Sequence, residues 1–561
     1  MEQACTYKDL LLRKLSYAVT SSVFSQLFIL QFYVFLFNTN VFYPLEWMQR
    51  TFRTMTSIST WIFMVPFLAI IFAQCVICAK DYVVKSSYCS TRFQKFLRAF
   101  SLHNIILLLL HIIVGATSTW LFLSISDGQY NNLTEVCKGN AYCLNEGSFF
   151  LILSGLWTGF YFFLKVYVAE KNLAFPVIHQ RKFLQLKSQL GPIIRESAHL
   201  SFWPSFYFGL IYFIVGDLLA SIFKDAFALL DREERPTALI YSHLWFFSAL
   251  YYFNMNLMRF YFNLFLTEPV QFPVVNAQLG TSLTLQDSIT NYDWPIVQNL
   301  ACLDLHLLSR WSPVRRQAFF ALSNPGGHPH NWNSLVENVL KLVTEYTQLL
   351  NKTIDLPEKK VVPPIIQAPI IQGPDKFRNL RNMALLDEDC YSYIDISKSA
   401  PVEFSFKPNV LDGISAKLKS IWNFLKLITG VNFLFGELPQ ANVRKCLANG
   451  NLIIWSSQGI SDIIAASLDE DKFGIVQKDL PVIISSLVQL KQSLDKLNKV
   501  PALTRKMVGY DDFNYRMKGA VTTAVRRSLF NICRSFNDYL RDIPLSKDIF
   551  QYLQVQIICK S

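Results

Sequence analysis

Two histidines and one aspartate stand inside long apolar runs of the sequence, His111, His243 and Asp217. Ionisable groups in hydrocarbon are costly enough that they often mark proton or ion paths. Asp217 lies seven residues before Lys224, close to the end of its run, which favours an interfacial or helix-pairing role. The histidines can stay neutral and hydrogen-bond across helices. His328 and His330 flank Pro329 too tightly for a helical metal pair, with no third ligand in view, so a turn is favoured over a metal site. Cys75-x-x-Cys78 closes an apolar run, where packing or palmitoylation accounts for it better than metal. Asp469, Glu470 and Asp471 bring three carboxylates together without the spaced ligands of a calcium loop, and read as a solvated helix end. No phosphate-binding loop, nucleophile elbow, zinc-protease or dinucleotide motif occurs in the right context. The sequence gives no reason to propose a catalytic residue, a cofactor or a metal. Asn132-Leu133-Thr134 is a glycan acceptor only in a lumenal loop, where Cys137 and Cys143 could also bridge; free thiols and a chance sequon are the alternative.

The chain that must hold these residues is 52% hydrophobic and only 17% charged, so part of it must live in lipid. The net charge of +12 divides into +7 up to Thr267 and +5 beyond, too even to suggest direct nucleic-acid binding. Six apolar runs have about the 20 residues that cross a bilayer: 16–37, 58–79, 104–125, 148–168, 201–223 and 237–258. The first follows a cytosolic N-terminus, 1–15, and reads as an uncleaved signal anchor. The last has no charge until Arg259, which places the membrane boundary there, with Phe260 to Leu266 leaving along the interface. Thirteen Lys and Arg fall on the N-terminal side of the membrane, against six in the alternate loops, so both termini are expected in the cytosol.

Beyond the membrane region of 16–266, the chain reads as soluble helices. Residues 267–350 form a first segment, opening with a turn-rich connection. Asp293 and Pro295 announce a helix with Leu300, Leu303, Leu307 and Leu308 on one face, and Ser334 with Glu337 fits a capping box. Residues 351–400 are a Pro-rich linker. Helices resume in 401–561, first with an apolar face from Leu411 to Ile428, for which core packing is favoured over contact with a membrane surface. Leu480, Ile483, Leu487, Leu490, Leu494 and Leu497 make a short heptad seam, and Val521, Val525, Leu529, Ile532, Phe536 and Leu540 face inward on a closing helix. The expected fold is therefore all-α: six membrane helices, then a helical cytosolic or pore-facing domain. By themselves these features say membrane scaffold, transporter or lipid-modifying enzyme.

Longer stretches narrow the choice: FLTEPVQFPV, LQDSI, LDLHLLSRWSPVRRQAFFALSNPGGHPHNWNSL, FLFGELP and IWSSQGISDIIAASLDEDKFGIVQKDLP. Together they resemble the nuclear division cycle family of transmembrane nucleoporins, across nearly the whole chain in layout. The linker is shorter and richer in Pro and Ile than expected of vertebrate relatives. The resemblance implies a non-enzymatic protein of the pore membrane that ties soluble nucleoporins to lipid and supports pore assembly. Its implied partners are the WD-repeat nucleoporin ALADIN and the inner-ring nucleoporin with an RNA-recognition-like domain. Candidate partner-binding residues are Arg315, Arg316, His328, His330 and Trp332, with Asp469, Glu470, Asp471, Phe473 and Gly474 in the following turn. The competing reading is that this block only folds the domain against the bilayer.

Overall fold

The computed structural model describes residues 7–39, 42–83, 89–125, 130–136, 142–168, 173, 175–176, 180–229, 238–275, 283–322, 327–355, 433–436, 441–498 and 513–558. The Pro-rich linker beyond 355, the Leu411 to Ile428 face and Cys137 lie outside them. Two units are distinguished, Met1–Ile354 with Glu437–Ser561, and Asp355–Gly436. All that follows concerns the first.

Among the described residues, five helices are long and apolar enough to cross a membrane: α1 (Tyr7–Phe37), α3 (Ile58–Val83), α5 (Leu102–Ile125), α6 (Glu146–Val168) and α7 (Lys182–Phe227). Between them lie the shorter α2 (Pro44–Thr56) and α4 (Arg92–Ala99). Two expectations change here. Helix α1 begins at Tyr7 rather than Ser16, and α7 joins the basic loop after α6 to the fifth run in one 46-residue helix carrying Pro192 and Pro204. At 1.5 Å per residue α7 is about 70 Å long, more than a bilayer is thick.

The sixth expected run lies in α8 (Ala238–Leu266), which continues as helix through Arg259 and the Phe260 to Leu266 stretch. It is not among the five because Tyr, Asn, His and Ser dilute its apolar content. Those residues explain its position. Asn254 accepts from Gln26 Nε2 of α1, Ser248 pairs with Thr158 of α6 at 2.9 Å, and Asn256 Nδ2 donates to Ser197 of α7 at 3.0 Å. A helix surrounded by helices satisfies polar side chains against protein, so its composition reports a central place in the bundle.

Helices α5 and α6 approach more closely than any side chain would permit. A Cβ on Gly115 would collide with the Gly155 carbonyl, and one on Gly159 with that of His111. Gly155 and Gly159 form a small-xxx-small pair, which lets backbones touch where no hydrophobic force drives association. The segment joining α5 to α6 departs from an all-α fold: β1 (Thr134–Val136) pairs antiparallel with β2 (Tyr142–Leu144).

The helical domain follows as α9 (Leu285–Ile289), α10 (Pro295–Trp311), α11 (Pro313–Gln317) and α12 (His330–Asp355). After the linker come α13 (Ala441–Leu447), α14 (Gly450–Glu470), α15 (Leu480–Asn498), α16 (Phe513–Ser535) and α17 (Lys547–Tyr552). Short α9 interrupts the connection expected to be turn-rich, because the Thr284 hydroxyl accepts from Asp287 N at 3.2 Å and caps it. Helix α12 starts at His330, after Pro329, so Ser334 lies inside it and caps nothing. Helix α10 has no side-chain cap, and Asp293 lies outside it.

Helices from the two sides of the linker share one core. Gly459 of α14 packs against α10, where an added Cβ would stand 2.8 Å from Leu305 and 3.3 Å from the His306 nitrogen. Asn531 of α16 donates to Asp462 of α14 at 3.0 Å. The seam of Leu480, Ile483, Leu487, Leu490, Leu494 and Leu497 is buried throughout, as are Val521, Val525, Leu529 and Ile532. Burying each such side chain contributes about 1.5 to 3 kcal/mol before entropy is counted.

Candidate docking surface

Sequence reasoning put Arg315, Arg316 and Trp332 on a binding face; the structure uses all three to build the domain. Arg315 grips Asp304 of α10 with both terminal nitrogens, at 2.9 and 2.7 Å, and donates to the Phe272 carbonyl at 2.7 Å. Asp304 accepts in turn from Phe272 N at 2.9 Å. This fork fastens the chain leaving α8 to α10, and with Asp304 only 2% exposed it is the kind of buried pair whose halves depend on each other. Arg316 Nε donates to Glu470 Oε2 at 3.0 Å and its Nη2 to Glu470 Oε1, while Nη1 reaches the Ser309 carbonyl. The Glu470 hydrogen bond holds the Arg316 pKa above the usual guanidinium range. Trp332 is fully buried and donates Nε1 to Asp479 Oδ2 at 3.0 Å. A surface role for its side chain is thereby corrected to a core one.

The acidic turn after α14 is also internally organised. Asp471 accepts from Phe473 N at 3.1 Å and from Val476 N at 3.0 Å, and Gly474 takes φ +66°, a conformation glycine adopts without a Cβ penalty. Two of the three clustered carboxylates thus have structural partners. Among the described residues no three His, Cys, Asp or Glu side chains gather as a metal site. His328 and His330 remain exposed beside Pro329, as do Asp469 and Phe473, the latter at 64%.

What sequence reasoning missed is the apolar surface next to these links. Trp311 is 72% exposed and Val314 80%, either side of the turn into α11; Leu468 is 43% exposed at the end of α14. The Arg316 and Glu470 bond joins α11 to the end of α14, so two segments separated by 154 positions offer solvent-facing Trp, Val, Leu and Phe from neighbouring elements. Large apolar side chains left exposed on neighbouring elements beside fixed charges make a candidate interaction face. The available signal was Trp311 and Val314 within the SRWSPVRR stretch.

In the bundle, His111 is 1% exposed, and its Nδ1 lies 2.9 Å from both Gln74 Nε2 of α3 and the Tyr251 hydroxyl of α8. It works as a helix-to-helix tie. Asp217 is on the exposed side of α7, and His243 is half-buried beside the Tyr130 ring. These three side chains are not brought together. Asn132 lies just before β1, and its carbonyl accepts from Ser148 at 3.0 Å. Cys143 in β2 is disulfide-bonded.

Helices long and apolar enough to cross a membrane, joined to a packed helical region with its own ion pairs, define a membrane protein with a substantial helical part outside those segments. The family model described as "Nucleoporin protein Ndc1-Nup" matches residues 9–554, so the chain belongs to the Ndc1 nucleoporin family, whose members are structural pore components rather than enzymes. It is 25% identical to Nucleoporin Ndc1 of Drosophila melanogaster over 581 aligned positions, covering 99% of this chain and 98% of the relative. Against Nucleoporin NDC1 of Homo sapiens it is 25% identical over 659 positions, covering 98% and 97%, and against that of Mus musculus 24% over 653, with the same coverage. The chain is a transmembrane nucleoporin.

Proposed function

We propose that this protein anchors the nuclear pore complex in the pore membrane and supports its assembly by recruiting soluble nucleoporins to the helical domain. The observation that carries the reading is the solvent-facing apolar set Trp311, Val314, Leu468 and Phe473, held by the Arg316 and Glu470 bond on a domain fastened to the bundle. The fastening is direct: Phe175, in the connection before α7, packs edge-on against Trp455 of α14 at 5.0 Å, and Arg315 holds the Phe272 carbonyl, just beyond α8, beside Asp304 of α10. Binding energy from a soluble partner is thereby passed to the bundle through these contacts.

The proposed topology has six spans, α8 being the sixth, with both termini on the cytosolic or pore side. The excess of Lys and Arg on that side supports it. The disulfide at Cys143, with Cys137 as proposed partner, and the sequon at Asn132 support a lumenal β-hairpin. The proposed partners are a WD-repeat nucleoporin of the ALADIN type and the inner-ring nucleoporin with an RNA-recognition-like domain. His328, His330, Asp469 and Phe473 are the candidate residues that remain accessible.

Tagged full-length protein, wild type and with Trp311→Ala plus Phe473→Ala, tests this by co-purification from nuclear envelopes. Loss of both nucleoporins with envelope targeting intact is the expected result. Unchanged recovery of both would show that docking lies elsewhere.

A further inference from the structure

A groove of about 260 Å³ opens between α1, α7 and α8 on the lipid-facing side of the bundle. Phe24 and Phe28 of α1, Phe183 and Leu186 of α7, and Leu264 and Phe265 of α8 give it an almost wholly apolar wall. One end is different. Lys182, the first residue of α7, lies there with its Nζ 5.0 Å from the centre of the Phe265 ring and its side chain 46% exposed. The other end runs along α1 to Phe28, deeper into the run that crosses the membrane.

The geometry points to a phospholipid site: an acyl chain in the groove, with the anionic phosphate of its headgroup at Lys182. Two features choose this occupant. The groove is continuous with exposed apolar surface on the outside of the bundle, Phe24, Phe28 and Phe183 being 57%, 61% and 74% exposed. Its charged end also carries an excess of cation: Lys182 and Lys14 share one carboxylate, Glu268, at 2.8 and 4.0 Å, with Arg13 close enough to act on Lys14. Two ammonium groups on one carboxylate favour a phosphodiester over a neutral or cationic head. The uncapped start of α7 after Arg181 adds free backbone N–H groups of the same polarity. The inference rests on the reading of α8 as a membrane-spanning helix, and it assigns the bundle a bound lipid in addition to its role as an anchor.

The test uses full-length protein in detergent, exchanged into dioleoylphosphatidylserine and counted for retained lipid by native mass spectrometry. Wild type should hold phosphatidylserine through wash steps that strip bulk lipid. Lys182→Glu should lower retention about fivefold or more. Ser21→Trp should lower it by filling the groove, Lys182→Arg should preserve it, and Lys478→Glu on the helical domain should leave it unchanged. Inorganic phosphate at equal concentration should not displace the lipid. Equal retention by wild type and Lys182→Glu overturns the site whatever Ser21→Trp does, and displacement by inorganic phosphate overturns the acyl-groove part. Cysteine accessibility either side of α8 reads its topology separately, so failure of the lipid site and failure of the six-span reading are distinguishable.

Discussion

The membrane bundle and the helical domain bury polar groups by opposite means. Within the bundle, crossings are tied by neutral pairs: Gln26 with Asn254, Thr158 with Ser248, Gln74 and Tyr251 with His111. Its ion pairs, Lys14 and Lys182 with Glu268, His103 with Asp81, and Lys224 with Glu146, sit at helix ends. The domain instead pairs charges partway along a helix, as Arg315 does with Asp304 in the middle of α10. The difference follows the solvent of the unfolded chain. A charge costs most where the alternative surroundings are hydrocarbon, whereas beside water a paired guanidinium and carboxylate can be assembled from solvated parts.

If close backbone contact is what holds the bundle, Gly155→Leu should damage it most, because the new side chain meets the Gly115 carbonyl and not a movable group. The expected cost exceeds about 3 kcal/mol, read as loss of the monodisperse species in detergent. In the domain the largest effect should come from Asp304→Ala, which strands Arg315 and costs about 3 to 5 kcal/mol in chemical unfolding of the full chain. Replacing the pair together, Asp304→Leu with Arg315→Met, should recover much of that loss. A cost for the double replacement as large as that of Asp304→Ala alone would show that the charges themselves are required. The neutral ties should be weaker: a cycle of Gln26→Leu and Asn254→Leu should give a coupling of about 0.6 kcal/mol. A coupling of several kcal/mol would erase the contrast between the two regions.

The smallest expected effect is a pH dependence confined to the domain. Burial, aided by Arg310, lowers the pKa of His306 below its ordinary 6.5. The unfolded chain therefore takes up this proton first, and stability should fall as pH drops through about 6.5 toward the folded value, then level off. His306→Gln should flatten that slope while leaving the bundle's melting unchanged.

Much of this architecture was legible because periodicity reports which face of a helix is buried. The apolar runs up to Phe223 fall within α1, α3, α5, α6 and α7, and the seam from Leu480 to Leu497 is buried as its spacing implies. Periodicity does not report the partner. Trp332 meets Asp479 across 147 positions and Arg316 meets Glu470 across 154, so conspicuous residues in adjacent motifs looked like surface features when they were clasps. The contact of Gly115 with Gly155 could have been sought from the GxxxG spacing, but its partner helix could not. The exposed apolar residues proposed for docking were missed for the converse reason. An exposed Trp311 differs from a buried one only through the three-dimensional neighbours that leave it uncovered.

Lys14 has a consequence for biogenesis. Its ammonium is almost fully enclosed, and both carbonyls that receive its protons belong to Phe265 and Glu268, 251 and 254 residues later in the chain. At about 5 to 20 residues per second, the ribosome delivers those acceptors on the order of tens of seconds after the lysine emerges. During that interval the first helix can be inserted but not seated, its ammonium held by water until α8 arrives to replace it.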